Sequence, residues 1–338
     1  MNRPVDYYAA VAGQPAALER SAAAVREQLA AIDLAPWRQG VLAAVSMGAG
    51  AHAGHALAHR LGRYGRRTVN LTASDLVALA GPGHASPADG YLFVSEGGRS
   101  RETLEAAGLV PAGARLGLTN VPDSPLAAAV DRVVTLDAGD DSTVYTAGYT
   151  TTLQAFGLLA GALDGVDEGE DWKRLPELVS ATLRGLAAPA AGVAPSLAGA
   201  VAIDVVAGTA SYASAAEAAL LLRESTRIGA TAYETYQYLH GPMEPLTPAH
   251  ACLLFGDGRE VALARYLAGA GIPAVLVTTA DVAGEPGLTV LRVPATPQVP
   301  RAVLEILPAQ LLAGEVARER GLGIDGFVHH QDDTKVPA

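Results

Sequence analysis

Cysteine is almost missing from the 338 residues: Cys252 stands alone. One thiol can form no internal disulfide and no cysteine-based metal site. That usage fits a reducing, cytoplasmic setting. Aromatic residues are scarce, at 5%, so the cores must be packed with Leu, Val and Ala. No uncharged apolar run reaches about 18 residues, which gives no indication of a membrane span. The N-terminal stretch MNRPVDYYAAVAGQP lacks the apolar centre of a signal peptide. Positive charge is also short. The formal net charge of −11 argues against a nucleic-acid surface and against an anionic membrane as partner.

What is present suits a soluble protein of more than one domain. Half the residues are hydrophobic, and the length fits two domains of ordinary size. Residues 6–39 read as helical, broken at Gly13-Gln14-Pro15 and ended by Pro36. A strand over 40–45 runs into the small-residue turn Ser46-Met47-Gly48-Ala49-Gly50 and a helix over 51–64. Further strands are predicted at 68–71, 90–94, 115–120 and 132–136, and a long helix at 143–163. Strands alternating with helices predict an α/β fold with a doubly wound parallel sheet. Residues 164–199 carry an acidic turn, a helix and the Pro/Gly/Ala run 187–199, which reads as a linker.

The second half repeats the first. Asp204–Tyr212 lies 160 residues after the Gly48 turn, and Ala251–Gly258 lies 160 residues after Tyr91–Gly98. The reading is a helical segment over 1–38, α/β domains over 39–163 and 200–320, and a polar, partly mobile tail over 321–338.

One stretch concentrates the chemistry, Glu217–Pro242. A carboxylate, Glu224, follows Leu220-Leu221-Leu222-Arg223, and Leu239-His240-Gly241-Pro242 leaves a histidine at a helix end. The leucines would desolvate Glu224 and raise its pKa, as a general base near neutrality requires. A surface carboxylate paired with Arg223 or Arg227 is the plainer alternative. His240 likewise reads as an acid–base group or as a C-cap histidine. The loop Ser95-Glu96-Gly97-Gly98-Arg99-Ser100 lies between a strand and a helix, where free N–H groups suit a phosphate. It also reads as an ordinary Gly-rich turn. His52, His55 and His59 share a helix face without a carboxylate spaced to complete a metal site, and are expected to be solvated.

Six segments, taken in order, resemble the double sugar-isomerase (SIS) domain family. They are the Gly48 turn and helix, Ser95–Thr103, Thr119–Leu126, the Glu217–Glu224 helix, Leu239–Pro242 and Gln310–Ala313. The resemblance spans roughly residues 10–335 and is of the type found in the isomerase half of glucosamine-6-phosphate synthase and its stand-alone deaminase and isomerase relatives. It implies two flavodoxin-like SIS domains, each a parallel sheet flanked by helices. It also implies a homodimer with a shared active site, a phosphorylated amino sugar as ligand and no cofactor. Glu224 matches the general base and His240 the ring-opening histidine, which the partner subunit supplies in relatives. The family's loop is Ser-x-Ser-Gly-x-Thr; Ser95, Gly98 and Ser100 match it. Gly97 stands where a second hydroxyl belongs, Glu96 adds an acid, and Gly50 replaces a phosphate-contacting serine, with Arg99 as a compensating cation. Val144 and Thr146 fall where the family touches the sugar ring, although capping by Ser142 or Thr143 explains the pattern as well.

Two lysines are missing. Leu221 replaces one. The register puts Asp332 at the other, with Lys335 three residues late. No N-terminal cysteine nucleophile or glutaminase segment is present, so no glutamine-dependent synthase is expected. The expected reaction is isomerisation or deamination of a glucosamine-6-phosphate-like substrate by proton removal at C2. The alternatives are a lyase expelling the C3 oxygen from an N-acetylglucosamine 6-phosphate, and a non-catalytic sugar-phosphate sensor.

Overall fold

The computed structural model describes residues 4–80, 86–166, 169–324, 326–329, 331 and 333–337. The first half contains α1 (Tyr7–Ala31), α2 (Ala35–Arg38), β1 (Leu42–Ser46), α3 (Ala49–Arg63), β2 (Thr68–Thr72), α4 (Ala73–Leu79), β3 (Gly90–Val94), α5 (Arg101–Leu109), β4 (Arg115–Thr119), α6 (Pro125–Ala129), β5 (Arg132–Thr135) and α7 (Ala147–Asp164). The second half contains α8 (Gly169–Ala198), β6 (Ala202–Ala207), α9 (Tyr212–Thr226), β7 (Gly229–Glu234), α10 (Thr235–Leu239), β8 (Ala251–Phe255), α11 (Arg259–Gly269), β9 (Ala274–Thr278), β10 (Leu288–Arg292) and α12 (Gln298–Glu319).

The apolar strand runs are buried on both faces, as parallel strands flanked by helices require. They form two five-stranded parallel sheets, ordered β2-β1-β3-β4-β5 and β10-β9-β8-β6-β7. Read from β7, the second order repeats the first, so the sequence repeat is a repeat of topology. Leu42 opens β1 and Ala202 opens β6, at the spacing of 160 read from the sequence. Between the sheets, α1, α3, α7, α8, α9 and α12 bury one continuous core that includes Leu18, Leu57, Phe156, Leu197, Leu221 and Leu312.

Three expectations change. Gly13-Gln14-Pro15 does not break α1, because Gln14 repairs the gap that proline leaves. Pro15 has no N–H for the carbonyl of Val11, and Gln14 Nε2 donates to that oxygen at 3.1 Å instead. The same amide nitrogen lies 2.8 Å from Gln310 Oε1, and Thr150 Oγ1 donates to Gln14 Oε1 at 2.9 Å. This buried network ties α1 to α12 and α7. Secondly, α8 continues through the Pro/Gly/Ala run to Ala198. Its apolar stripe, with Leu186, Ala190, Val193 and Leu197 buried, packs on α12 and α1 and outweighs the weak propensity of the run. The acidic turn before it includes Asp167 and Glu168, which lie outside the described residues. Thirdly, α7 starts at Ala147 rather than 143, since Asp141 Oδ2 caps it by accepting from the N–H groups of Thr146 and Gly148 at 2.9 and 2.7 Å. Among the described residues no helix is long and apolar enough to cross a membrane.

Replacing Gln14 with Ala should lower stability by about 1–3 kcal/mol, because it strands the carbonyl of Val11 and two buried side chains. Urea unfolding measures the change, and an unchanged midpoint would refute this role.

Candidate functional site

The helix pair α3 and α9 assembles the site. His52 Nδ1 lies 2.9 Å from Glu217 Oε2, and the His55 ring meets the Tyr212 ring edge-on at 5.0 Å between centroids. Moving forward along α3 therefore moves backward along α9: the helices are antiparallel. The N-terminus of α3 sits at the C-terminal end of β1. The last turns of α9, where Glu224 lies, thus come level with the C-terminal ends of the first sheet. His52 and His55 make these contacts from a face that keeps His55 exposed and His52 and His59 half-buried, so the expected solvated face holds in part. The carboxylate that answers His52 comes from the other half of the chain. Among the described residues no group of His, Cys, Asp or Glu is arranged to hold a metal ion.

Glu224 is half-buried and makes no hydrogen bond or ion pair among the described residues. Burial raises its pKa to about 7, and repulsion from Glu217 adds to this against the opposing charges of His52 and Arg227. The plainer arginine pairing does not form. Arg223 donates to the carbonyl of Ala230 and Arg227 to that of Gly326. Leu221, in the place of the family lysine, is 1% exposed and part of the core.

The loop Ser95–Ser100 links β3 to α5. Gly98 takes φ +63°, and a Cβ there would lie 2.1 Å from Ser124 Oγ, so only glycine fits. The N–H groups of Glu96, Gly97 and Arg99 have no hydrogen-bond partner among the described residues. They are free to meet an anion. Ser100 caps α5, accepting from the hydroxyl of Thr103 at 2.9 Å, while Ser95 Oγ lies 3.4 Å from the Ser100 N–H. Gly50 packs beside Ser46, whose Oγ would be 3.1 Å from an added Cβ. Arg99 turns outward to the carbonyl of Val336 at 2.7 Å.

The tail reaches this loop. Ser100 and Lys335 form an antiparallel bridge. The Arg101 N–H donates to the carbonyl of Thr334, and the Val336 N–H to that of Arg99. Lys335 is thereby placed beside the loop, exposed, and near enough to Glu96 to act on it electrostatically. Asp332, the register position of the missing lysine, lies outside the described residues.

Val144 and Thr146 lie on the approach to α7, both buried. The carbonyl of Val144 accepts from the Ser142 hydroxyl, and the Thr146 hydroxyl donates to Asp141 Oδ1 at 2.7 Å. The sequence reading passed over their neighbour, Tyr145. Its phenol interacts electrostatically with Glu96 and with Glu224, which places it between loop and helix. It also passed over Glu217, although Glu217 stands seven residues before Glu224, two turns along the same face.

The second predicted acid–base group is elsewhere. His240 ends α10, exposed, its N–H bonded to the carbonyl of Gln237. In a parallel βαβ unit, Glu224 near the end of α9 is at the N-terminal edge of the second sheet, and His240 is beyond its C-terminal edge. The six residues of β7 between them span about 20 Å. One chain does not bring Glu224 and His240 together.

No protein-family model matches the chain. It is 29% identical over 255 residues to the glutamine–fructose-6-phosphate aminotransferase (isomerizing) of Gloeobacter violaceus, and 30% identical over 255 residues to that of Symbiobacterium thermophilum. These matches cover 69% and 70% of this chain but 41% and 42% of the relatives, so the chain spans under half their length. Among solved structures, the C-terminal domain of the Francisella tularensis glucosamine-fructose-6-phosphate aminotransferase superposes with TM-score 0.83 at 18% identity, covering 94% of this chain and 97% of that one. Escherichia coli tagatose-6-phosphate ketose/aldose isomerase gives 0.79 at 17%, covering 98% and 100%. Thermotoga maritima glucosamine-6-phosphate deaminase gives 0.72 at 18%, covering 94% and 97%. The chain therefore has the fold of the double SIS-domain proteins and, in sequence, resembles the isomerase half of the glutamine–fructose-6-phosphate aminotransferases.

Proposed function

We propose that this protein is an enzyme acting on a 6-phosphorylated amino sugar, with Glu224 removing the C2 proton of the open-chain substrate. The observation that carries this reading is an unpaired carboxylate, desolvated to a pKa of about 7, whose charge reaches Tyr145 as does that of Glu96 in a loop with free N–H groups. A base needs a pKa near working pH and no partner that competes for its lone pair. The phosphate meets the N–H groups of Glu96, Gly97 and Arg99, with the Ser95 and Ser100 hydroxyls near. Lys335, held there by the tail, supplies the positive charge that the altered loop lacks. Gly50 leaves room beside Ser46, and Val144 and Thr146 shape the wall on which Tyr145 stands.

His240 opens the sugar ring from a second subunit, since Glu224 and His240 of one chain are a strand length apart. The working unit is a homodimer, and the setting is cytoplasmic. Once the proton is off C2, the products are those of isomerisation or deamination. Loss of the C3 oxygen from an N-acetylated sugar is the alternative outcome of the same step. Names of similar proteins support this reading: a glucosamine-6-phosphate deaminase and a tagatose-6-phosphate isomerase share the fold.

Three outcomes are expected. Glu224→Gln should cut kcat by about a hundredfold or more with glucosamine 6-phosphate or N-acetylglucosamine 6-phosphate, followed as ammonia, ketose and ultraviolet absorbance. An unchanged rate refutes the assignment, while an absorbing unsaturated sugar in place of ammonia or ketose identifies the lyase.

The same variant should differ from the natural chain in stability only at higher pH. The folded-state pKa of Glu224 lies above its ordinary value of 4.5. Its carboxyl therefore costs nothing below about pH 4.5, and the cost grows as pH rises through 7. At pH 8 Glu224→Gln should be more stable by about 1–2 kcal/mol after screening by solvent, and at pH 4 equal. Urea unfolding at both pH values decides.

Lys335→Ala should raise KM for the phosphorylated sugar about tenfold and leave kcat within about threefold. An equal KM would remove Lys335 from the site.

A further inference from the structure

The second repeat shows what the first one lacks. Glu96 stands two residues beyond the end of β3, and Asp257 two residues beyond the end of β8. Residues ending the neighbouring strand serve both. Asn120 Nδ2 donates to Glu96 Oε1 at 3.2 Å, and the Thr119 hydroxyl to the Glu96 carbonyl at 3.0 Å. Asp257 accepts from the Thr278 hydroxyl at 2.7 Å and from the N–H and hydroxyl of Thr279 at 2.8 Å.

The difference is the counter-charge. Arg301 of α12 donates to Asp257 Oδ2 at 2.6 Å. Against the penalty of burial, the Arg301 bond and those from Thr278 and Thr279 hold the Asp257 carboxyl below the ordinary range. Glu96 has no ion pair among the described residues. Its surroundings are instead acidic. A Cβ on Gly148 at the start of α7 would lie 3.1 Å from Glu96 Cγ and 3.2 Å from Asp141 Oδ2, so the two carboxylates flank one glycine. Burial and the charge of Asp141 raise the Glu96 pKa, against the nearby Tyr145 phenol, the Asn120 bond and the attraction of Lys335. Among the described residues, Lys335 on the tail is the cation that acts on Glu96, and it remains exposed.

The direction of the side chain matters as well. The backbone of Glu96 belongs to the loop before α5, yet its carboxylate turns toward α7 and Tyr145, the phenol that also feels Glu224. It lies against Gly148 at the start of α7.

We propose that Glu96 is a specificity residue that recognises a substrate ammonium group, so that the site selects a free amino sugar over its N-acetylated or hydroxyl counterpart. The ligand's cation does for Glu96 what Arg301 does for Asp257. This rests on the phosphosugar reading above and adds the N-substituent to it. A half-buried carboxylate beside a second carboxylate and without an ion pair is unfavourable, and an ammonium donor forms a charge-assisted bond that a neutral amide or hydroxyl does not.

Calorimetric titration of the dimer-competent full chain at pH 7 with glucosamine 6-phosphate, N-acetylglucosamine 6-phosphate and glucose 6-phosphate tests it. Glucosamine 6-phosphate should bind at least about tenfold more tightly than either of the others. Glu96→Gln should erase that preference, chiefly by weakening the amino sugar about tenfold or more, with its circular dichroism unchanged and its melting temperature not lowered. Equal binding of all three sugars to the natural chain overturns the Glu96 assignment and leaves the phosphosugar reading standing. Equal loss of all three in a folded Glu96→Gln chain overturns it too. Failure of every phosphosugar to bind overturns the phosphosugar reading, and this inference with it.

Discussion

Everything at the site depends on the antiparallel contact of α3 with α9. Each helix belongs to its own sheet, and each alone would present only a half-formed surface. Packed together, they bring the His52 ring onto Glu217 at 2.9 Å and carry Glu224 to the C-terminal edge of the first sheet. Parallel sheets offer their ligand sites at that edge, so one domain contributes the loop and the other the carboxylate. The burial of α9, with Leu221 and Leu222 in the shared core, also removes water from Glu224. Packing and chemistry have the same cause.

The two repeats have diverged in ways that follow from this arrangement. Ser95–Ser100 connects β3 to α5, while the shorter Gly256–Gly258 connects β8 to α11. The short turn is filled by the chain itself: Glu260 accepts from the N–H of Gly258 at 3.3 Å and the hydroxyl of Thr235 at 2.6 Å. Neighbouring Asp257 is neutralised by Arg301. Among the described residues the longer loop keeps the N–H groups of Glu96, Gly97 and Arg99 free and its carboxylate without an ion pair. A repeat that satisfies its own polar groups is scaffold, and one that leaves them open is available to a ligand.

Much of this was legible in the sequence because it depends on local pattern. Apolar strand runs ending in small residues, repeated at a spacing of 160, prescribe two parallel sheets, and the sheets have the same strand order. Glu224 stood out as a lone carboxylate after three leucines. What was not legible depends on contacts distant in sequence. The survival of α1 through Pro15 needs Gln14 to reach back to Val11, with Gln310 and Thr150 fixing it from 296 and 136 residues away. The partners of His52 and Glu96 come from other elements, and spacing within one helix cannot reveal them. The tail reads as polar and loose, yet Asp333, Thr334 and Val336 hydrogen-bond to Arg99 and Arg101. The edge strands β7 and β10 lacked a clear apolar run, since each is buried only in part.

The central claim is that chemistry begins with loss of the C2 proton to Glu224. Glucosamine 6-phosphate labelled with deuterium at C2 tests it most directly, with the products followed by nuclear magnetic resonance. The account predicts that the label leaves C2, appearing at C1 or in water, with a primary isotope effect on the rate. Turnover that keeps the deuterium on C2 would contradict it.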